Sequence, residues 1–369
     1  MAKTVASQEV ANMLNDWYIL MKKRDISRSI EMKDDIDKAI EEMEQDQDVL
    51  LYYQMLDFRL RLLLEDISQS STEKLEAISF HDKDPKSTDD KLNYYFYLFK
   101  GIYEDYKQNH TEALNFFRIA EKRLGAIQNE IEKAEFHYKI GVLYYNLKAT
   151  WLSIHHIHIA SGIFQGYDGY AKRVINCKML MGLNYIDQFK FSESEDLLKE
   201  AIAKTEKIGD RYLLPYAYYN MGFLKSKEEK HEEALAFYSK AFAVKDFEKA
   251  NYAYILCVYE NTRSLLKTKA YDQAFKWIDI GFKKSREMDS EILELKFNIL
   301  NTLYSDIENK MEIIKDFVHQ LENKKAWVDL EELLMDVANY YREQKLYKEA
   351  IYFYIKTDKA SKLAGRGGD

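Results

Sequence analysis

Apolar residues near the start of the chain recur at every third or fourth position, which is the spacing of an amphipathic helix. This spacing predicts three helices, which cover roughly Gln8–Lys23, Ile26–Asp46 and Val49–Asp66. The apolar positions that define the first two helices are Val10, Met13, Leu14, Trp17, Tyr18, Ile36, Ile40 and Met43. Together the three helices predict a helical bundle of its own at the start of the chain.

The helical pattern breaks over residues 67–90, where polar residues replace the apolar ones. The segment contains a run of serine, glutamine and threonine at 68–72 and one of the two prolines of the chain, Pro85. This composition predicts a linker, with a short helix near Leu75. A hinge in this linker would allow the bundle to move relative to the rest of the chain.

Four glycines further along, Gly101, Gly141, Gly182 and Gly222, follow one another at spacings of 40, 41 and 40 residues. Each is followed after 12 residues by a small residue, after 16 by a large apolar residue and after 19 by alanine. These slots hold Ala113, Ser153, Ser194 and Ala234, then Phe117, Ile157, Leu198 and Tyr238, then Ala120, Ala160, Ala201 and Ala241. The set continues at Ala274, Ile278 and Gly281, is degenerate around 298–320, and ends at Ala350 and Tyr354.

This repeat resembles the tetratricopeptide (TPR) pattern G-x2-Y…A-x3-F-x2-A, in which each unit is a pair of antiparallel helices. The glycine and the small residue allow the helices to approach closely, and the large residue fills the gap between them. No single unit buries its own apolar face, so neighbouring units must stack. We therefore expect an all-α protein, with an N-terminal three-helix bundle over 1–66, a flexible linker over 67–90 and a C-terminal TPR superhelix over 91–369.

Composition and charge narrow the class of protein further. The 369 residues include 13 glycines and 2 prolines, too few for a β-sandwich, a β-propeller or a glycine-fingerprint Rossmann enzyme. The net charge of −8 disfavours non-specific binding to nucleic acid or to anionic membranes. The sequence has no signal-peptide pattern and no long apolar stretch, so we expect a soluble cytoplasmic protein.

Few residues suggest a metal site or known enzyme chemistry. Cys177 and Cys257 lie in apolar surroundings, which predicts buried thiols. A local histidine cluster, His155, His156 and His158, lacks the second ligand cluster that a zinc site needs. Familiar enzyme motifs are absent, and TPR arrays bind peptides or proteins in a concave groove. The composition and repeats alone therefore favour an interaction scaffold.

One acidic segment departs from an ordinary scaffold. Between residues 29 and 48 the chain carries nine acidic residues and two basic ones. Gln45 and Gln47 lie at the end of this segment, in the turn predicted between the second and third helices. The residues alone indicate that this segment is a solvated acidic loop, and its charge disfavours contact with DNA.

Four segments carry a resemblance to a known family. They are LNDWY at Leu14–Tyr18, MEQDQD at Met43–Asp48, LLYYQMLDFR at Leu50–Arg59 and IEKAEFHYKIGVLYY at Ile131–Tyr145. In combination they resemble the Rap family of Bacillus, which contains response-regulator aspartate phosphatases and related anti-activators controlled by Phr signalling peptides. The resemblance runs from about Val10 to Lys359, and the family architecture is a three-helix bundle, a flexible linker and a TPR domain.

The resemblance implies a role for the acidic loop. Gln47 occupies the catalytic glutamine of the family's EEDQD motif, where it would orient the water that attacks an aspartyl phosphate. Gln45 replaces the usual glutamate, and Gln45, Asp46, Leu50 and Phe58 would contact the regulator. Leu50 and Phe58 fit the bundle core equally well. No cofactor or metal site of the chain's own is implied, because the response regulator would supply the divalent cation.

The repeats supply candidate residues for a peptide groove. With the motif glycine at position 8 of its repeat, Asn220 falls at position 6 and Asp187 at position 13, which are groove-facing slots. The segments around both residues, and their separation of 33, match those of the family and imply peptide contacts at Asp187, Asn220 and Asn184. Asn220 could pair with both an N–H and a C=O of the peptide. Asp336, at position 6 of the last repeat, would meet either a cationic peptide group or a structural hydrogen-bond donor.

The resemblance leaves two functions open. One is dephosphorylation of a response regulator of the sporulation phosphorelay type, inhibited by a short, secreted and reimported Phr-type peptide in the groove. The alternative is a non-catalytic anti-activator that blocks a DNA-binding response regulator until peptide releases it. A third hypothesis is a peptide-sensing transcription factor, which the acidic segment disfavours. In the first two cases, peptide could favour a compact state in which the bundle docks on the repeats.

Overall fold

A computed structural model describes residues 5–65, 90–107 and 109–364 of the chain. Its first helices are α1 (Ser7–Lys22), α2 (Ile26–Glu41) and α3 (Gln47–Glu65). Three N-terminal helices are therefore confirmed, but α2 ends well before Asp46, where the sequence pattern placed its end. The predicted linker, 67–90, lies outside the described residues except for Asp90, which begins the next helix.

The early end of α2 has a long-range cause. The Val5 N–H donates to the Glu42 carbonyl at 3.0 Å, and the Glu44 N–H donates to the Val5 carbonyl at 3.2 Å. These hydrogen bonds form an isolated parallel bridge between Val5 and Met43. The residues after Glu41 therefore pair with the segment before α1 instead of extending the helix.

Seven pairs of helices follow, and the all-α expectation is confirmed for the described residues. The pairs are α4 (Asp90–Tyr106) with α5 (His110–Leu124), α6 (Glu130–Asn146) with α7 (Thr150–Gln165), α8 (Ala171–Asp187) with α9 (Phe191–Ile208), α10 (Leu214–Lys227) with α11 (His231–Phe242), α12 (Asn251–Lys267) with α13 (Tyr271–Glu287), α14 (Glu291–Tyr304) with α15 (Lys310–Asn323), and α16 (Trp327–Glu343) with α17 (Tyr347–Ala364). A 3-10 turn, Phe247–Lys249, precedes α12. No helix among the described residues combines the length and apolarity that crossing a bilayer requires.

The glycine register sets the distance between the two helices of a pair. A Cβ added to any of the four motif glycines would lie 2.4 to 3.1 Å from the large residue 16 positions later. The small residue adds a hydrogen bond, because Ser153 Oγ donates to the Gly141 carbonyl at 2.8 Å and Ser194 Oγ to the Gly182 carbonyl at 2.9 Å. The predicted close approach is confirmed.

Replacing Gly222 with alanine is expected to destabilise the protein by about 1–3 kcal/mol, because the core is already filled there. The new Cβ would lie 2.4 Å from a ring carbon of Tyr238, which is 0% exposed. Gly162→Ala is the matched control, since nothing lies within 4 Å of its Cβ and an exposed helical glycine gains about 0.5–1 kcal/mol as alanine. Thermal unfolding should give shifts of opposite sign. Equal melting temperatures for the two variants would contradict the packing argument.

The degenerate stretch around 298–320 folds as an ordinary pair, α14 with α15. Thr302, Ile314, Val318 and Leu321 take the slots held elsewhere by the glycine, the small residue, the large residue and the alanine. All four side chains are buried. Larger residues at the small slots therefore hid this repeat from the sequence pattern.

The chain divides into two compact units, Met1–Leu213 and Leu214–Asp369. Helices α1–α3 belong to the first unit, where their apolar residues share one core with residues of α4–α6. The second unit contains the four pairs from α10 to α17. The boundary predicted near residue 66 stays a prediction.

Candidate functional site

Gln47 is the first residue of α3, and its side chain is exposed. Asp46 caps the helix, because its Oδ1 accepts hydrogen bonds from the N–H of Asp48 at 3.1 Å and of Val49 at 3.2 Å. The cap satisfies two N–H groups that the first turn of a helix leaves without partners. The Val5 bridge at one end of the loop and the Asp46 cap at the other therefore fix the main chain that carries Gln47.

The surface around Gln47 is acidic and polar. Gln45 is exposed as well, as are Glu41, Glu42, Glu44 and Asp48. The basic residue Lys33 of α2 is paired elsewhere, because its Nζ lies 2.9 Å from Asp57 of α3 and 3.0 Å from Asp37 of its own helix. A carboxamide on such a surface can accept a hydrogen bond from water and donate one to a phosphoryl oxygen. The partial positive charge of the helix N-terminus also favours an anion at this point.

Two further residues of α3 were expected at the regulator surface, and they differ in exposure. Leu50 is partly exposed in the first turn of α3. Phe58 is 1% exposed and makes an edge contact with the Tyr103 ring, with 5.4 Å between ring centroids. Phe58 thus occupies a core position, the alternative left open above, because its ring fits between α3 and α4. A regulator could contact Phe58 only if it left this core.

A buried carboxylate links α1 to the repeats. Glu132, near the start of α6, is 0% exposed. It accepts hydrogen bonds from Lys22 Nζ at 2.9 Å, Tyr18 OH at 3.1 Å and Tyr94 OH at 3.3 Å. Lys22 is itself 5% exposed, so both charges of this ion pair have left water. The N-terminal helices are therefore docked on the repeats within the first unit.

A second buried carboxylate lies one turn further along α6. Glu135 Oε1 accepts a hydrogen bond from Arg173 Nε of α8 at 2.6 Å, and the other carboxylate oxygen pairs with Arg173 Nη2. Arg59 of α3 is buried nearby, where burial and the charge of Arg173 lower its pKa. The Glu135 charge partly offsets this effect, so one carboxylate stabilises cations from two elements.

In the first unit, the structure separates the two candidate peptide contacts on α8. Asp187 is the last residue of the helix, partly exposed, with its Oδ2 3.3 Å from Lys148 Nζ. Asn184 is 0% exposed, and its Nδ2 donates to Ser153 Oγ at 2.9 Å and to the Leu180 carbonyl at 2.8 Å. Asn184 is thus buried in the core, where its amide ties α8 to α7, and its peptide contact stays a prediction.

In the second unit, Asn220 and Asp336 also differ. Asn220 on α10 is 6% exposed, and none of the hydrogen bonds among the described residues uses its side chain. Asp336 on α16 is bound on both oxygens, by Arg263 at 2.7 Å and by Lys267 at 3.2 Å. Asp336 therefore has structural hydrogen-bond donors as its partners in this structure.

Asp336 belongs to a larger group that we call the charged cluster. Its members are Lys227 of α10, Glu260, Arg263 and Lys267 of α12, and Glu332 and Asp336 of α16. Arg263 Nη1 lies 2.9 Å from Glu260 and also pairs with Glu332, which Lys227 Nζ approaches to 2.5 Å. Burial raises the pKa of Glu260, although the Arg263 charge opposes the shift.

The sequence analysis did not predict this cluster, although the spacing of three of its residues indicates a shared helix face. Glu260, Arg263 and Lys267 are spaced by three and four residues and so share one face of α12. Glu260 also occupies position 6 of its repeat, the slot of Asn220 and Asp336. Their partners on α16 could not be inferred from that spacing.

The remaining candidates are structural. Both cysteines are free and buried, as predicted. Of the histidine cluster, His156 pairs with His137 instead, with 2.8 Å between their Nδ1 atoms, and burial together with the His137 charge lowers the pKa of His156 to about 4. Within the described residues, no group of three or more histidine, cysteine or acidic side chains is arranged to hold a metal ion.

Comparison with known proteins connects these features to one family. A family profile described as response regulator aspartate phosphatase H, N terminal, matches residues 4–65, which include the whole loop around Gln47. The regulatory protein RapD of Bacillus subtilis is 36% identical over 352 residues, covering 95% of this chain and 98% of RapD. Response regulator aspartate phosphatase A of the same organism is 30% identical and covers 100% of this chain and 98% of its own.

A solved structure agrees with the helical arrangement. The crystal structure of a Rap protein complexed with competence and sporulation factor matches with a TM-score of 0.85 and 29% identity. The match covers 98% of this chain and 99% of that one.

Proposed function

Because the chain belongs to the Rap family, we propose that it dephosphorylates the aspartyl phosphate of a response regulator and that a short signalling peptide inhibits it. The observation that carries the proposal is the exposed Gln47, the first residue of α3, directly after a loop fixed by the Val5 bridge and the Asp46 cap. An aspartyl phosphate is an activated acyl phosphate, so it needs an oriented water more than a strong nucleophile. A fixed carboxamide supplies that orientation.

The divalent cation of the reaction would come with the regulator. The described residues hold no cluster of metal ligands near Gln47, and the carboxylates around it are spread over an exposed surface. The cation would neutralise charge on the phosphoryl group, while Gln47 would orient the water. Gln45 and Leu50, both reachable from solvent beside Gln47, would contact the regulator.

Peptide would bind to the repeats. Asn220 is the best supported contact, because its amide has no partner among the described residues and can bond both an N–H and a C=O. Asp187 would meet a basic group or N–H of the peptide, with Lys148 as its present partner. Asn184, buried against Ser153, would meet the peptide only if it left the core, and Asp336 would act through the charged cluster.

The docked N-terminal helices suggest how peptide could inhibit. In the first unit the ion pair between Lys22 and Glu132 holds α1 on α6, and Phe58 is buried. A regulator that needs Phe58 could not bind this arrangement. Peptide that favours the docked state over an undocked one would therefore reduce regulator binding by a population shift.

Catalytic turnover tests the proposal directly. Purified protein should be incubated with a panel of response regulators carrying labelled aspartyl phosphate, each in large molar excess over the protein. We expect one regulator to lose label far beyond one equivalent per protein molecule, because the protein is released after each reaction. Each regulator alone, with its cation, gives the spontaneous rate.

The second candidate, a binding-only anti-activator, has a specific observation in its favour. Gln45 stands where the resemblance places a glutamate, so one acidic contact beside Gln47 is missing. In the same experiment an anti-activator would bind a regulator at one equivalent and release no label. Binding without turnover would therefore reject the phosphatase in favour of this alternative.

A further inference from the structure

The charged cluster lies on the same helix face as Asn220. Lys227 follows Asn220 by seven residues on α10, which places both on one side of that helix. The cluster then joins α10 and α12 to α16, across 105 residues in the case of Lys227 and Glu332. On the intervening helix α14, Leu300 and Leu303 are buried. The charged cluster therefore links α10, which carries Asn220, to α12 and α16.

The three carboxylates of the cluster differ in how far they are exposed to solvent. The Glu332 side chain is 37% exposed, whereas those of Glu260 and Asp336 are 8% and 13% exposed. Glu332 is bound by Lys227 and by Arg263 Nη1. If Glu332 turned into solvent, Arg263 would keep Glu260 and Asp336 as partners, so no buried cation would lose its last counter-charge.

If Glu332 moved away, the groups it leaves behind could bind another carboxylate. An ammonium from Lys227 and a guanidinium N–H from Arg263 already converge on one carboxylate oxygen of Glu332. Charge-assisted hydrogen bonds of this kind are the strong ones, and an arginine matches carboxylate geometry well. Exchange of one carboxylate for another leaves the charge of the cluster unchanged and moves no proton.

We propose that Lys227 and Arg263 form a carboxylate-binding site for the peptide ligand, and that Glu332 occupies this site as an internal competitor when peptide is absent. The inference rests on the proposed peptide binding at Asn220. The ligand carboxylate is either the C-terminus of the peptide or an aspartate or glutamate side chain. A peptide would therefore be selected partly by its ability to displace Glu332.

Affinity selection with the full-length chain can test this site. Three synthetic libraries of short peptides serve as probes: free C-termini without acidic residues, amidated C-termini with acidic residues, and amidated C-termini without them. Retained peptides are identified and their affinities measured on the wild type, Glu332→Gln and Lys227→Gln. Lys230→Gln is the matched control, since this exposed lysine pairs with Glu228 outside the cluster. Melting temperatures verify that every variant folds.

We expect the library that lacks any carboxylate to bind at least about tenfold more weakly than one of the other two, a difference of about 1.4 kcal/mol. Glu332→Gln should raise the affinity of the carboxylate-bearing peptides, and Lys227→Gln should lower it, while Lys230→Gln changes neither. Preference for free C-termini identifies the terminus as the source, and preference for acidic residues identifies the side chain.

The contrary outcomes are distinct. Equal retention of all three libraries, or a Glu332→Gln variant with unchanged affinity, would overturn the carboxylate site and leave peptide binding intact. Retention of no library by the wild type or any variant would overturn the proposed peptide binding and this inference with it.

Discussion

Under the proposed phosphatase function, Gln47→Asn is expected to slow dephosphorylation of the regulator by about a hundredfold or more, because a displacement of about 1 Å in a positioning group has an effect of that size. Asparagine keeps the carboxamide but withdraws it by one methylene from the water it must orient. The exposed side chain makes no core contact, so the fold and regulator binding should be unchanged. Single-turnover release of label, measured at saturating protein, separates the chemical step from binding.

Gln54→Asn is the control for this substitution. Gln54 is another exposed glutamine of α3, so the same methylene is removed from the same helix. Its single-turnover rate should stay within about twofold of the wild type, in line with a surface change away from the reacting group. If Gln47→Asn and Gln54→Asn released label equally fast, Gln47 would not be the residue that orients the water.

Helix positions were predictable where the cause is local. The register of Gly222 and Tyr238 follows from residues 16 positions apart, and the structure brings them into contact. The end of α2 was not predictable, because Val5 pairs with the residues around Met43 through main-chain hydrogen bonds that leave no side-chain pattern. The helices α14 and α15 form because their apolar residues have helical spacing. Their repeat was not recognised because larger residues occupy the positions that small residues hold in the other repeats.

The candidate site was predictable only in part, for a related reason. An exposed loop around Gln47 follows from its polar sequence, but Asp46 as a helix cap depends on where α3 begins. Asn184 follows the motif glycine Gly182 by two residues and is buried in the core. Similarity between segments does not show which side of α8 a residue faces. The charged cluster depends on α16 meeting α12, and the sequence separation of those helices carries no sign of it.

Two carboxylates on α6 connect the N-terminal helices to the repeats. Glu132 holds Lys22 of α1, and Glu135 holds Arg173 of α8 next to the buried Arg59 of α3. Both ion pairs are desolvated, so each is stable only while its geometry is complete. This makes the docking of α1–α3 sensitive to single substitutions on α6, far along the sequence from the loop that carries Gln47.

Glu132→Ala is expected to destabilise the docked arrangement by about 3–5 kcal/mol, the effect of leaving one charge of a buried pair without its partner. Lys22, 5% exposed, would lose its counter-charge, and the hydroxyls of Tyr18 and Tyr94 would lose an acceptor. Hydrogen exchange should then accelerate in α1, and the melting temperature of the protein should fall. If docking excludes the regulator, peptide should also inhibit this variant less.

Glu130→Ala separates this effect from a general loss of charge on α6. Glu130 lies two residues earlier, is 47% exposed and pairs only with Lys133 within the same helix turn, so its removal should change stability by less than about 1 kcal/mol. If hydrogen exchange in α1 were as slow in Glu132→Ala as in Glu130→Ala, the ion pair between Lys22 and Glu132 would not be what holds α1 in place. Rapid exchange together with retained peptide inhibition would show instead that docking through α1 is not the route by which peptide acts, because the same ion pair would then be broken without consequence for the regulator.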